Sequence, residues 1–146
     1  MNILVINGPN LNLLGTREPE VYGTMTLTDM NNRIEEYAEA MEGMDGRMYF
    51  VQSNHEGVLI DAIHNARGFV DGIIINPGAY THYSYAIRDA ISGVGIPTAE
   101  VHLSNIYERE AFRRVSVIKD VCQWQICGKG YQGYLEALEL LVQTLR

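Results

Sequence analysis

Two stretches of this chain have no polar face at all. Ile3-Leu4-Val5-Ile6 and Gly72-Ile73-Ile74-Ile75 are continuous apolar runs, stopped by Asn7-Gly8-Pro9 and by Asn76-Pro77-Gly78. A strand with one solvated face alternates polar and apolar residues, so these runs require cover on both faces. Helix-period segments supply that cover, and they alternate with the strands. Residues 26–42 read as a helix opened by a capping-box-like pair, Thr26 and Asp29. Arg47–Gln52 reads as a strand, and residues 55–67 as a helix. Residues 82–92 form a further helix with Ala86, Ile87, Ala90 and Ile91 as its apolar stripe. Thr98–His102 and residues 121–127 are the last two strands. The final helix, from about Tyr131, repeats Tyr134, Leu135, Leu138, Leu141, Val142 and Leu145 at intervals of three and four.

Five strands alternating with helices specify an α/β three-layer sandwich around a parallel sheet, and the default order for five strands is the flavodoxin-like 2-1-3-4-5. With 146 residues, the expectation is one domain, 1–146, with a core that needs no disulfide or metal staple. Such sheets bind ligands beyond the carboxyl ends of their strands. Strand one ends near Asn7 and Asn10, strand three in Asn76 with His82 beyond it, and strand four in His102-Leu103-Ser104. That order makes strands one, three and four neighbours, so these polar residues converge on one crevice.

Composition removes several classes of function. A net charge of −7, from 11 basic and 18 acidic residues, lacks the basic face of a nucleic-acid binder. No apolar stretch approaches the ~18 residues of a membrane span, and the first residues lack the pattern of a secretory signal. A cytoplasmic protein is expected, with no nucleic-acid and no membrane partner. Cys122 and Cys127, five apart, have neither zinc nor redox-motif spacing and read as reduced, partly buried thiols. Gly128-Lys129-Gly130-Tyr131-Gln132-Gly133 matches G-x-G-x-x-G, but too little chain follows to complete a dinucleotide-binding unit. It reads as a turn with close helix packing.

The histidines do not share a metal-ligand pattern. His55 and His64 are nine residues apart on one helix and therefore face opposite ways. His102 differs, because Glu100 stands two residues before it on a strand and the two side chains share a face. A carboxylate there fixes the imidazole tautomer and raises its basicity, as in general acid–base pairs, although a structural ion pair would use the same residues. The loop from Gly15 to Gly23 is long for a βα connection and carries Arg17 and Tyr22. A guanidinium beside a phenol lowers the phenol pKa, and flanking glycines would let such a loop close as a lid. A solvated surface loop is the plainer reading.

Five motifs in register carry a resemblance. They are Asn7-Gly8-Pro9-Asn10-Leu11-Asn12, Gly15-x-Arg17-Glu18-Pro19-x-x-Tyr22-Gly23, Gln52-Ser53-Asn54-His55-Glu56-Gly57, Asn76-Pro77-Gly78-Ala79-Tyr80-Thr81-His82 and Glu100-Val101-His102-Leu103-Ser104-Asn105. From Asn7 to about Gly128 the chain resembles type II 3-dehydroquinate dehydratase. The resemblance implies a flavodoxin-like fold, a homododecamer built as four trimers, and no metal or cofactor. It implies conversion of 3-dehydroquinate to 3-dehydroshikimate and water through an enolate, in the shikimate pathway or in quinate breakdown.

Residue by residue, Tyr22 resembles the base that removes the proton beside the ketone, and Arg17 the residue that keeps it ionised. Asn10 resembles the holder of a water against the enolate oxygen. His102 resembles the acid that protonates the departing hydroxyl, with Glu100 as its orienting partner. Asn76 and the backbone of Leu103 and Ser104 resemble the carboxylate binders, His82 and Arg113 the contacts to ring hydroxyls, and Asp89 a further binding residue. Asp89 lies seven residues beyond His82, about 10.5 Å along a helix; a solvated helix acid is the plainer reading of the sequence, but the trimer that the resemblance implies leads to the expectation that it serves a neighbouring subunit's site. The chain departs from the family's usual pattern at Tyr107-Glu108, where a histidine and a small residue are commoner, and over residues 115–124. A non-catalytic flavodoxin-like module that binds a small acid would need Asn76, His82 and Arg113. It would need neither the Arg17/Tyr22 segment nor the Glu100–His102 pair.

Overall fold

The structure, a computed structural model, describes residues 1–16 and 19–146, apart from the side chains of residues 21 and 22. The expectations for Arg17 and for the Tyr22 phenol lie outside the described residues. Five strands, β1 (Asn2–Asn7), β2 (Arg47–Gln52), β3 (Gly72–Asn76), β4 (Thr98–His102) and β5 (Trp124–Cys127), form one parallel sheet in the order β2-β1-β3-β4-β5. This is the 2-1-3-4-5 order expected from the alternation of elements. The helices are a single turn α1 (Pro19–Tyr22), then α2 (Leu27–Ala40), α3 (Glu56–Asn65), α4 (Tyr85–Val94) and α5 (Gln132–Leu145).

Strand alternation sorts the core into two halves. Ile3 and Val5 of β1, Ile74 of β3 and Ala99 and Val101 of β4 pack against Met30 and Ile34 of α2 and Tyr134, Leu138 and Leu141 of α5. The intervening residues, Leu4, Ile6, Ile73 and Ile75, pack against Leu59 and Ile63 of α3 and Ile87 and Ile91 of α4. Helices therefore cover both faces, as the all-apolar runs require. The capping box at the start of α2 forms as read. Thr26 Oγ1 accepts from the Asp29 N–H at 3.1 Å, and the Asp29 carboxylate accepts from the Thr26 N–H at 3.3 Å.

Three local expectations are corrected. His82 does not open a helix: residues Gly78–His82 form a 3-10 turn, and α4 begins at Tyr85. Ser84 takes the cap position and its Oγ accepts from the Ile87 N–H at 3.0 Å. Ala86 is exposed, so the buried stripe of α4 is Ile87, Ala90 and Ile91. The last strand starts at Trp124, because Lys119–Val121 form a 3-10 turn beneath which Ile118 is fully buried. The glycine-rich stretch is the turn it was read to be. A β-carbon on Gly133 would lie 3.2 Å from Val101 and 3.3 Å from Ile126, so this glycine seats the start of α5 against the sheet.

Candidate active site

The carboxyl ends of β1, β3 and β4 frame a crevice lined by Asn10, Asn76, His82, His102, Leu103, Ser104 and Arg113, together with Ile106 and Arg109. The loops after β1 and β3 meet closely here. The Gly8 N–H donates to the Asn76 carbonyl at 2.8 Å, and a β-carbon on Gly8 would stand 2.4 Å from the Pro77 carbonyl oxygen. Glycine is thus a steric requirement of the crevice wall. Asn10 adopts a left-handed conformation (φ 69°), which asparagine tolerates better than most residues, and its N–H donates to Asn54 Oδ1 at 3.0 Å.

On the α5 side, Asn7 and Asn76 are register partners of β1 and β3. Both reach the hydroxyl of Tyr134, a fully buried residue of α5. The hydroxyl donates to Asn7 Oδ1 at 2.6 Å and accepts from Asn76 Nδ2 at 3.1 Å, while Asn76 Oδ1 accepts from the Gly78 N–H at 3.1 Å. Since the Gly78 N–H can only donate, the Asn76 amide is fixed with its NH2 group toward Tyr134. Among the described residues the second N–H of that group has no partner, and Asn76 lines the crevice. Burial pushes the Tyr134 phenol above its ordinary pKa, so it stays a neutral bridge.

On the opposite face, Glu100 is fully buried and accepts from His102 Nε2 at 2.6 Å. Thr81 Oγ1 donates to the same carboxylate oxygen at 2.7 Å, and Ser116 Oγ lies 2.8 and 2.9 Å from its two oxygens. Burial would raise the Glu100 pKa, but the hydrogen bond and charge of His102, with the Thr81 and Ser116 hydroxyls, outweigh it and hold the carboxyl below the usual glutamate value. The pair is therefore a carboxylate and an imidazole whose Nε2 is fixed. Among the described residues Nδ1 of His102 has no hydrogen-bond partner, and the ring lines the crevice.

His82 Nδ1 donates to the Val115 carbonyl at 2.7 Å. Desolvation lowers the His82 pKa against that hydrogen bond, and the nearby His102 and Arg113 push the same way. Arg113 lies over the Phe112 ring at 4.7 Å and donates to Glu110 at 2.7 Å, which aims its guanidinium along the crevice edge. The arrangement offers donors for an anion and hydroxyl groups at one end and a carboxylate-backed imidazole for proton transfer at the other.

A family model described as dehydroquinase class II matches residues 1–142. The chain belongs to the class II dehydroquinase family. The 3-dehydroquinate dehydratase of Bacillus licheniformis is 54% identical over 143 residues, covering 98% of this chain and 97% of that protein. The enzyme of the same name from a Nostoc species is 56% identical over 146 residues, covering 100% and 97%. The crystal structure of type II dehydroquinase from Butyrivibrio crossotus matches with a TM-score of 0.92 at 52% identity, covering 97% of each chain.

Of the residues expected to serve a class II dehydroquinase site, Asn10, Asn76, His82, His102, Leu103, Ser104 and Arg113 are brought together, with Glu100 directly beneath His102. Asp89 lies on α4 and does not line this crevice. Asn7 turns away from it to Tyr134. Sequence reading missed the supports. Tyr134 looked like one more residue of an apolar stripe, Thr81 stood inside a quoted motif without a role of its own, and Ser116 had no pattern at all. Arg109, which also lines the crevice, is not among the residues singled out from the sequence. Strand parity would have found Tyr134's partners, because Asn7 and Asn76 fall on the same parity as Val5 and Ile74, the face that α5 covers.

Proposed function

We propose that the protein is a 3-dehydroquinate dehydratase, converting 3-dehydroquinate to 3-dehydroshikimate and water by anti elimination through an enolate. Tyr22, ionised beside Arg17, takes the proton from the carbon next to the ketone. The electron pair moves to the ketone oxygen, where a water held by Asn10 stabilises the enolate. The enolate then collapses, the bond to the hydroxyl on the neighbouring carbon breaks, and His102 supplies the proton with which that group leaves as water. Glu100 supports the charged imidazole at Nε2, leaving Nδ1 to meet the leaving group. Asn76 and the backbone N–H groups of Leu103 and Ser104 hold the substrate carboxylate, while His82 and Arg113 hold ring hydroxyls. The chain works as one domain, 1–146, in a homododecamer of four trimers, with Asp89 reaching a neighbouring subunit's site.

The observation that carries this reading is the buried Glu100 carboxylate bonded to His102 Nε2 at 2.6 Å on the crevice floor. A binding module needs no such pair. The test follows ultraviolet absorbance after addition of 3-dehydroquinate, since the conjugated enone product absorbs and the substrate does not. Absorbance should rise with the native protein, and Tyr22→Phe should lose at least ~10³-fold in kcat with substrate binding retained. A flat trace from folded native protein and verified substrate would refute the proposal.

A further inference from the structure

The carboxylate that orients His102 is itself held by a chain of groups that reaches the surface. The register of β4 and β5 sets Glu100 opposite Gln125, so both side chains leave the sheet on one face. Gln125 Nε2 donates to Glu100 Oε1 at 3.2 Å. Glu100 Oε2 already accepts from His102 and Thr81, and the single Ser116 hydroxyl hydrogen is shared between the two oxygens. Gln125 is therefore the one donor given wholly to Oε1 among the described residues. An ionised carboxylate only accepts, so the Gln125 NH2 must face it and the amide oxygen must face outward. There it accepts from the Tyr107 hydroxyl at 2.6 Å. Tyr107 sits on the 3-10 turn Ile106–Glu108 that follows β4, with the Lys119 ammonium 5.9 Å from its ring centre.

We propose that Gln125 and Tyr107 are positioning residues for proton transfer, Tyr107 anchoring the Gln125 amide and that amide holding Glu100 square to His102. The inference rests on the reading of His102 as the acid. Each bond in the chain Tyr107–Gln125–Glu100–His102 polarises the next, because a hydroxyl donated to an amide oxygen strengthens the amide N–H as a donor. Without the amide, Oε1 keeps only its share of the Ser116 hydroxyl and the carboxylate can rotate about its last torsion, taking the Nε2 bond out of line. KM should change little, since none of the groups assigned to substrate binding, the Asn76 amide, the Leu103 and Ser104 backbone, His82 and Arg113, is hydrogen-bonded to Gln125 or Tyr107.

The experiment compares kcat and KM for 3-dehydroquinate in the native protein, His102→Ala, Gln125→Leu, Tyr107→Phe and Gln125→Glu, with circular dichroism and gel filtration to establish folding and assembly. Gln125→Leu should lower kcat about tenfold and Tyr107→Phe about threefold, each with KM within about twofold, as fractions of what a general acid contributes. Gln125→Glu supplies a readout that a purely structural residue would not give. When ionised, the introduced carboxylate repels Glu100; when protonated, its hydroxyl can donate in place of the amide. The kcat of Gln125→Glu relative to the native protein should therefore recover as pH falls, whereas the Gln125→Leu ratio should stay flat. Among the described residues the other titratable groups around the pair are His102 and His82 on the crevice side, Cys122 and Cys127 toward β5, and Tyr107 with Lys119 beyond Gln125, and all are unchanged between Gln125→Glu and Gln125→Leu. Folded Gln125→Leu and Tyr107→Phe proteins with native kcat, beside a His102→Ala protein that has lost it, would overturn this inference alone. No turnover by the native protein, or full turnover by His102→Ala, would overturn the inference together with the reading beneath it.

Discussion

Replacing Tyr134 by Phe removes one hydroxyl from a ring with no exposed surface, and its effects can be worked from two distances. The hydroxyl donates to Asn7 Oδ1 at 2.6 Å and accepts from Asn76 Nδ2 at 3.1 Å. Asn7 is 1% exposed, so its oxygen is left buried without that donor. A stranded buried polar group costs ~1–3 kcal/mol, and the ring packing is unchanged, so ~2 kcal/mol of stability should be lost. For a chain of this size that lowers Tm by about 4–8 °C. Asn76 then keeps only the Gly78 N–H to orient its amide. Losing part of one hydrogen bond to the substrate, ~1 kcal/mol, should raise KM about fivefold with kcat nearly unchanged. Urea unfolding and thermal scans at fixed protein concentration measure the first effect, and steady-state kinetics on 3-dehydroquinate the second. A Tyr134→Phe protein with the native urea midpoint and the native KM would show that the bridge between the two asparagines does neither job.

Two further outcomes follow from the charged groups. Because the folded Glu100 carboxyl titrates below its ordinary value, its contribution to stability is complete above about pH 4.3 and is lost as pH falls through the lower folded value; Glu100→Gln should flatten acid unfolding in that window, and an unchanged acid slope would refute it. The chain's two lysines are engaged away from the crevice, Lys119 near Tyr107 and Lys129 with Glu136 at 2.6 Å, so borohydride added with 3-dehydroquinate should leave the intact mass unchanged, and a stable adduct on either lysine would refute the enolate mechanism.

What could be read from the sequence follows from how local each signal is. Strands β2, β3 and β4 matched their expected bounds because each is a short apolar or alternating run between turn residues. Glu100 and His102 could be paired in advance because both lie on one strand, where a spacing of two fixes the geometry. Legibility failed where partners are distant in the chain. The bond from Tyr134 to Asn7 spans 127 residues, and a buried phenol inside a leucine stripe carries no mark of its polar end. Gln125 meets Glu100 only through sheet register, and Ser116 reaches it from irregular chain between the 3-10 turns Ala111–Arg114 and Lys119–Val121, neither of which has a period to detect. Even the start of α4 was obscured, since a 3-10 turn over Gly78–His82 continues the helical look of the sequence before Ser84 resets it.

The division of the core by strand parity has an evolutionary corollary. The Asn76 amide, proposed to hold substrate, is braced from the α2/α5 layer through Tyr134, and the Glu100–His102 pair, proposed to transfer the proton, is braced on the other face, against Thr81, Ser116 and the segment around Ile118. Substitutions in separate layers share few contacts and tend to add independently. Selection on how Asn76 is held and selection on how His102 is held can therefore draw on different sets of core positions. A lineage adapting to scarce substrate can change one layer while the history written in the other is left intact.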